Sequence, residues 1–572
     1  MSRHVLLRRQ FLGGLGAAGP LMALLGLGRA AAATAGAVPP LEMDLHITRR
    51  NVRIAGRTGV GYCVNGQMPG PVLRWQEGRD VRIHVHNHMD EPTSLHWHGV
   101  RLPSDQDGVP GLSFAGIPAG GRFTYSFPVL QSGTYWYHSH MGHQESSGLY
   151  GALIIEPAGA SLLPRADRDH TVLLSDWSDV SASQIINNLK MQDDYYNFRQ
   201  RSLASLPEES RRAGGLIPAL KSRLQWSRMR MSATDISDVS GAIYTYLMNG
   251  EAPAQGWSGL FRPGERVCLR VINAAAMTLF DVRIPGLEMQ VVEADGNPVV
   301  PVPVDEFRIA PGETYVVMVT PLQAQPYTIF AQSEDRTGHA RGTLTPRPGL
   351  LGPVPPMDPR PVRGMVDMGM PMPMPMMKGM KAMGGMPMSP PVERTPADEI
   401  DDPGPPPLNV ENQNIATHPV ERVGSPGDGL EGTGRRVLAY SDLVALRPPP
   451  DQRPPSREII LHLTGNMERY IWGFNGRKYS ESGPIHLARG ERVRFTVIND
   501  TMMEHPLHLH GLWSELENGA DDQHRPLKHT VISQPGSRMS VLVTADAPGV
   551  WAYHCHLMYH MQTGMFREVV IS

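Results

Sequence analysis

The feature that most restricts this chain is a segment repeated three times. Glu77 to Asn87 reads EGRDVRIHVHN, Pro263 to Asn273 reads PGERVCLRVIN, and Arg489 to Asn499 reads RGERVRFTVIN. Apolar residues alternate in each copy: Val81, Ile83 and Val85; Val267, Leu269 and Val271; Val493, Phe495 and Val497. That period is a strand with one buried face. An Asn-Gly turn precedes each copy, at Asn65-Gly66, Asn249-Gly250 and Asn475-Gly476. A second strand follows each: GTYWYHSH from Gly133, QPYTIFAQ from Gln325 and GVWAYHCH from Gly549. Three copies of one unit of short strands predict an all-β chain of three sandwiches. The 572 residues leave room for them.

The copies align without insertion, so their differences carry information. Nine and eleven residues past Asn87 stand His96 and His98; the same offsets from Asn499 give His508 and His510, and from Asn273 give Val282 and Ile284. In the later strand His138 and His140 match His554 and His556, but Phe330 and Gln332 in the middle copy. The outer units therefore carry matching His pairs and the middle unit is a spacer. The third unit alone adds His505, where the first has Thr93, and Cys555, where the first has Ser139.

In His-x-His on a strand, both imidazoles point to one face. Four such pairs give eight imidazoles, which converge only if the outer units touch. Eight neutral imidazoles suit a small cluster of copper or zinc ions, whereas one zinc site needs three or four ligands. Cys555 points away from His554 and His556. With His505, His560 and Met565 it offers two imidazoles, a thiolate and a weak thioether, the blue-copper set. An electron entering at Cys555 reaches the cluster within one tripeptide, through His554 or His556. His84, His86 and His88 alternate likewise but belong to the repeated strand, and read as its solvent face. Composition agrees with copper: 32 methionines and 23 histidines, against only three cysteines, exclude a disulfide scaffold or zinc-finger array. A net charge of −3 gives no basic excess for nucleic acid or an anionic membrane surface.

These segments, HWHG (96–99), HSH (138–140), HPLHLHG (505–511) and HCHLMYHMQTGM (554–565), resemble the four copper motifs of the multicopper oxidases. Within that family the paired Arg8-Arg9 near the start, KMQDDYYNFRQR (190–201), RMRMSATDISDVSGAIYTYLMNG (228–250) and a Met-rich stretch between Met365 and Met388 resemble the copper-resistance protein A group of exported bacterial oxidases. The resemblance implies three cupredoxin-like Greek-key domains and four copper ions. His505, Cys555, His560 and Met565 would hold type 1 copper, and His96 and His508 type 2. His98, His138, His140, His510, His554 and His556 would hold the type 3 pair. It further implies oxidation of Cu(I) to Cu(II) with reduction of O2 to water, and a proton-relay acid near the cluster. Asp107, nine residues past His98, is the candidate; Asp107-Gly108 is equally a tight-turn dipeptide, and Asp105 stands close by. Where some bacterial relatives carry a carboxylate after the last type 1 histidine, this chain has Met561-Gln562.

Residues 1–35 pair Arg8-Arg9 with an apolar run and an Ala-rich end, an export segment of twin-arginine type that predicts a periplasmic protein with no membrane span. Domains are expected at 36–160, 161–345 and 433–572, with a helical insertion at about 180–240 whose Asp193, Tyr195 and Tyr196 have no assigned role. From 346 to 432 the chain is Pro- and Gly-rich and is expected to be a disordered linker. It holds 11 methionines between Met365 and Met388. Pro371, Pro373 and Pro375 bar a helix there, so these methionines are expected outside any core and free to bind Cu(I). Cys63 and Cys268 are expected as separate thiols, Cys268 facing away from its own domain core. The expected partners are O2 and copper ions, with phenolic reductants as a further class, and the expected state is a monomer. The rival readings are a laccase-like phenol oxidase and a copper-sequestering protein; a nitrite reductase needs far fewer histidines.

Overall fold

In the computed structural model the repeated segment builds the same strand three times, at Asp80–Asn87, Val267–Asn273 and Arg492–Asn499. Each copy pairs in parallel with the strand that opens its unit: Leu41–Ile54, Arg168–Trp177 and Arg457–Asn466. Its other edge runs antiparallel to Arg122–Pro128, Thr314–Val319 and Ser537–Thr544. The second sheets match too: His96–His98 lies beside Gly133–His138, Phe280–Arg283 beside Tyr327–Ser333, and His505–Leu509 beside Gly549–Cys555. The sandwiches have four and four, six and five, and eight and five strands. Residues 39–370 and 392–572 are described, and from Pro40 onward they form one compact unit. Among them no helix is long and apolar enough to cross a membrane. Residues 1–35, the expected export segment, lie outside the described residues.

The alternating residues do what their period predicts. Val81, Ile83, Val85, Val493, Phe495 and Val497 are buried between the sheets. The asparagine closing each repeat fixes the turn that leads to the next strand. Asn87, Asn273 and Asn499 each accept from a backbone N–H two residues on. Their side-chain amides donate to carbonyls of the same loops, as Asn499 does to Met503 and Ser533. One side chain thus satisfies several buried backbone groups that the strand ladder leaves over.

Three points refine the sequence reading. In the middle unit Arg283, not Val282, stands opposite Phe330, and Asp281 opposite Gln332; the second-sheet strand is offset by one residue. The space is filled by ion pairs instead of imidazoles: Arg308 joins Asp281 and Arg283 joins Glu306, all buried. Cys268 does leave its domain core, packing with Val292, Val316 and Met318 on the sheet's other face, and Cys63 and Cys268 are both free thiols. The insertion forms helices at Ala182–Met191, Leu206–Arg212 and Leu216–Arg228.

The 346–432 stretch departs from the expectation of a disordered linker at both ends. Glu399–Asp401 and Val420–Glu421 add strands to the third domain. Arg363 is fully buried, donating to Glu334 at 2.9 Å and Asp428 at 3.0 Å. Met368 is fully buried, and Met365 and Met370 pack on the core, so the expectation that these methionines lie outside the core is corrected for all three. A low-complexity sequence gave no period to read, because these contacts come from irregular backbone anchored by charge. The remaining methionines fall in 371–391, outside the described residues.

Candidate metal centre

Cys555 ends the strand Gly549–Cys555 of the third domain, and His505 opens the neighbouring one, His505–Leu509. The pairing sets Leu507 opposite Cys555 and His508 opposite His554, so alternate residues serve two different sites. On one side His505 Nδ1 and His560 Nδ1 lie 3.2 Å apart, with Cys555 Sγ at 3.5 and 3.8 Å from them. All three are buried, as is Met565. The outer nitrogens are already committed. His560 Nε2 donates to Asp238 Oδ2 at 2.6 Å. The Thr501 hydroxyl donates to Asn499 and so accepts from His505 Nε2, 2.7 Å away. Both Nδ1 atoms are therefore the free lone pairs, and they converge with the sulfur on one point. Trp472 stacks on His560 with ring centroids 3.9 Å apart.

The first domain preserves the outline of this site without its chemistry. Thr93, Ser139 and Gln144 occupy the positions of His505, Cys555 and His560, and both hydroxyls donate to Gln144 Oε1, at 2.7 and 2.9 Å. A hydrogen-bond triad replaces a ligand triad.

On the other side of the tripeptide the eight imidazoles from the two outer domains meet. His98, His138 and His556 bring ligand nitrogens within 4.8 Å of one another, as do His140, His510 and His554. His96 and His508 remain, grouped with His98. Carbonyl and carboxylate oxygens only accept, so they fix which nitrogens carry protons. His96 Nδ1 donates to the Asp107 carbonyl, His508 Nδ1 to the His529 carbonyl, and His138 Nδ1 to Glu145. The Nε2 atoms of these three, with His140 Nε2 and both nitrogens of His556, are buried and have no partner. Orphaned lone pairs converging from two domains are what a metal cluster requires, because each unmade bond otherwise costs about 1–3 kcal/mol.

Burial first, and neighbouring imidazoles second, hold His98, His140, His508, His510 and His556 well below the usual imidazole range. His138 and His505 lie equally low, and His554 falls to about 3. They are neutral, the form that binds metal. Burial pushes the Cys555 thiol up, so a bound cation must displace its proton. For the metal-free protein the sign follows directly. Each folded-state value lies below the unfolded one, so the unfolded chain takes up protons first as pH falls. Stability present above about pH 6.5 is lost below it, by about 1.4 kcal/mol per pH unit for each imidazole that stays neutral. The urea midpoint of copper-free protein is expected to drop steeply between about pH 7 and pH 5.5; a flat profile would mean that these rings are solvated.

Asp107 reaches the cluster. It is buried, accepting from His510 Nδ1 at 2.8 Å, with its other carboxylate oxygen 3.2 Å from His96 Nδ1. The turn reading holds as well: Gly108 has φ +77°, and a Cβ there would meet the Leu95 carbonyl oxygen. Asp105 is exposed. Asp238, Glu145, Thr501 and Trp472 were not legible as site residues, since Asp238 lies 322 positions from the histidine it contacts.

Three cupredoxin-like sandwiches, a Cys-centred site in the third and an eight-imidazole cluster between the first and third place this chain in one class. It belongs to the multicopper oxidase family, whose models match residues 46–160, 168–347 and 452–572, and it is an oxidoreductase that uses copper. More particularly, it is 48% identical to copper resistance protein A of Escherichia coli, over 93% of this chain and 92% of that one. It is 47% identical to copper resistance protein A of Pseudomonas syringae pv. tomato, over 99% of each. Its fold matches the laccase of Botrytis aclada (TM-score 0.62, 20% identity, covering 93% and 88%) and Fet3p, a multicopper oxidase that functions in iron import (0.63, 17%, covering 93% and 91%).

Proposed function

We propose that this chain is an exported periplasmic oxidase that converts Cu(I) to Cu(II) and reduces O2 to water in copper resistance. His505, Cys555 and His560, with Met565, would hold type 1 copper, and His96 and His508 type 2. His98, His138 and His556 would hold one type 3 ion, and His140, His510 and His554 the other. Copper bound there supplies one-electron oxidation at the single site and reduction of O2 at the cluster. The chain supplies the path between them, Cys555 with His554 and His556, and a buried carboxylate, Asp107, placed to pass protons. The export segment and the names of the relatives support the role.

The observation that carries Cu(I) as substrate is what covers His560. Its ring is fully buried and its outer nitrogen meets Asp238, which also accepts from Tyr470 at 2.8 Å. Asp235 is buried beside this group, its carboxyl held well above the usual range by burial and then by Asp238, Asp193 and Asp194. One carboxylate oxygen of Asp235 and one of Asp238 have no partner. Concentrated, under-satisfied carboxyl oxygens suit a cation, whose binding would release the Asp235 proton, better than they suit an apolar phenol ring. Oxygen ligands also favour Cu(II) over Cu(I), which eases electron loss. Oxygen uptake by the copper-loaded protein tests the reading. Cu(I) is expected to drive it faster than a phenol, and Asp235→Asn to raise KM for Cu(I) about tenfold, the worth of about 1.4 kcal/mol. Phenol turnover with no response to Cu(I) would establish a laccase-like enzyme instead.

A further inference from the structure

A group of histidines outside the copper centre stands on one face of the first domain. The parallel strands Leu41–Ile54 and Asp80–Asn87 set Asp44 beside His84 and His46 beside His86, and His88 follows. Their alternating neighbours Leu45, Ile47, Ile83 and Val85 are buried, so these side chains face outward. His46 and His88 are exposed and His86 is half-buried.

The rings do not splay into water. His46 stacks on His86 at 4.7 Å and 18°, and on His88 at 5.1 Å and 23°. His46 Nδ1 lies 2.8 Å from His88 Nε2. Ordering three polar side chains costs rotamer freedom, and water offers each the same hydrogen bonds. His86 Nε2 is 2.8 Å from Asp44 Oδ1. The carboxylate accepts that proton and leaves Nδ1 as a free lone pair, the arrangement that orients metal-binding imidazoles. Two nitrogens each about 2.0–2.1 Å from one ion lie about 2.8–3.4 Å apart. The His46–His88 spacing meets that condition, and His510 and His554 in the buried cluster show nearly the same, 2.9 Å.

We infer that His46, His86 and His88, with Asp44 behind His86, form a surface site for a divalent transition-metal ion. Imidazole donors and the Irving–Williams order select Cu(II) above Zn(II). The nearby cations are Arg122, opposite His86 in the ladder, and Arg82, paired with Glu42; Asp44 is the carboxylate that offsets the ion's charge. The inference does not rest on the identity of the oxidase substrate.

The test starts from protein carrying its resident coppers and freed of loosely held metal by a weak chelator. Aqueous Cu(II) is then titrated in, followed by calorimetry and by electron paramagnetic resonance. Wild type is expected to bind one more Cu(II) than the His46→Gln/His88→Gln variant, with a tetragonal, nitrogen-rich signal that the variant lacks. Phenol oxidation should be equal in both, since neither residue belongs to the catalytic machinery and both are exposed. Asp44→Asn should weaken this binding about 10–100-fold. Equal uptake by wild type and variant would overturn the site. So would wild type that takes up no Cu(II) beyond its resident ions, which would leave His46 and His88 as a hydrogen-bonded pair.

Discussion

Cys555→Ser is expected to remove the intense blue absorption and bring oxidase turnover below detection in one step. Cys555 provides the sole sulfur anion among the converging ligands, and charge transfer from a thiolate to Cu(II) is what gives such sites their colour. It also sits between His554 and His556, so its loss would cut the proposed route from the single site to the cluster. The fold should tolerate the change. Serine is close to cysteine in size, and its oxygen can still accept from the Leu557 N–H, now 3.4 Å from Sγ. The eight cluster imidazoles are untouched, so copper content should fall by one ion, and a coupled pair, if the cluster holds one as proposed, should stay visible by spectroscopy. A variant that keeps the blue band would show that the sulfur is not a ligand.

How much of this was legible depends on whether position in sequence encodes position in space. The repeated strand was legible because period two and a fixed offset survive in a linear reading. His508 opposite His554 in the third unit, and His96 opposite His138 in the first, are direct consequences of that register. The middle unit's one-residue offset was not legible. It depends on buried ion pairs between Arg283 or Arg308 and acids on other strands, and such pairs have no local signature. The residues that tune the single site escaped for the same reason. Thr501 is four residues from His505, yet a threonine near a histidine is unremarkable in a sequence. Asp238 comes from the end of the insertion and meets His560 only through the packing of two domains. Sequence reading thus recovers the candidate ligands, which recur at fixed spacing. It also recovers Asp107, which follows one of them closely and whose carboxylate accepts from His510 Nδ1. It misses orienting groups such as Asp238, which only tertiary packing brings near.

The same distinction decides what the methionine-rich stretch does, and two alterations that look similar on paper should separate sharply. Replacing the eight methionines within 371–391 by serine keeps the chain length and every described contact. The blue site should be intact and phenol oxidation unchanged. Cu(I) oxidation should fall severalfold at low copper and converge with wild type at saturation, because tethered thioethers raise the local Cu(I) concentration. Deleting 357–390 should instead unfold the region around the single site. It removes Arg363, whose guanidinium is buried between Glu334 and Asp428 and whose N–H donates to the Ala233 carbonyl. Burial and the neighbouring Glu504 already push the Glu334 carboxyl up to about 8, so taking away a cation leaves it still harder to keep charged. Removing one partner of a buried pair costs about 3–5 kcal/mol, a large share of a stability that rarely exceeds about 15 kcal/mol. Arg363 also lies 3.9 Å from Met503 Sδ, two residues before His505. Loss of the blue band and a denaturation midpoint lowered in step are therefore expected for the deletion, and for Arg363→Ala alone. If the deletion protein is as stable and as blue as wild type, Arg363 does not anchor the single site. If the serine variant oxidises Cu(I) normally at every concentration, the methionines play no part in catalysis.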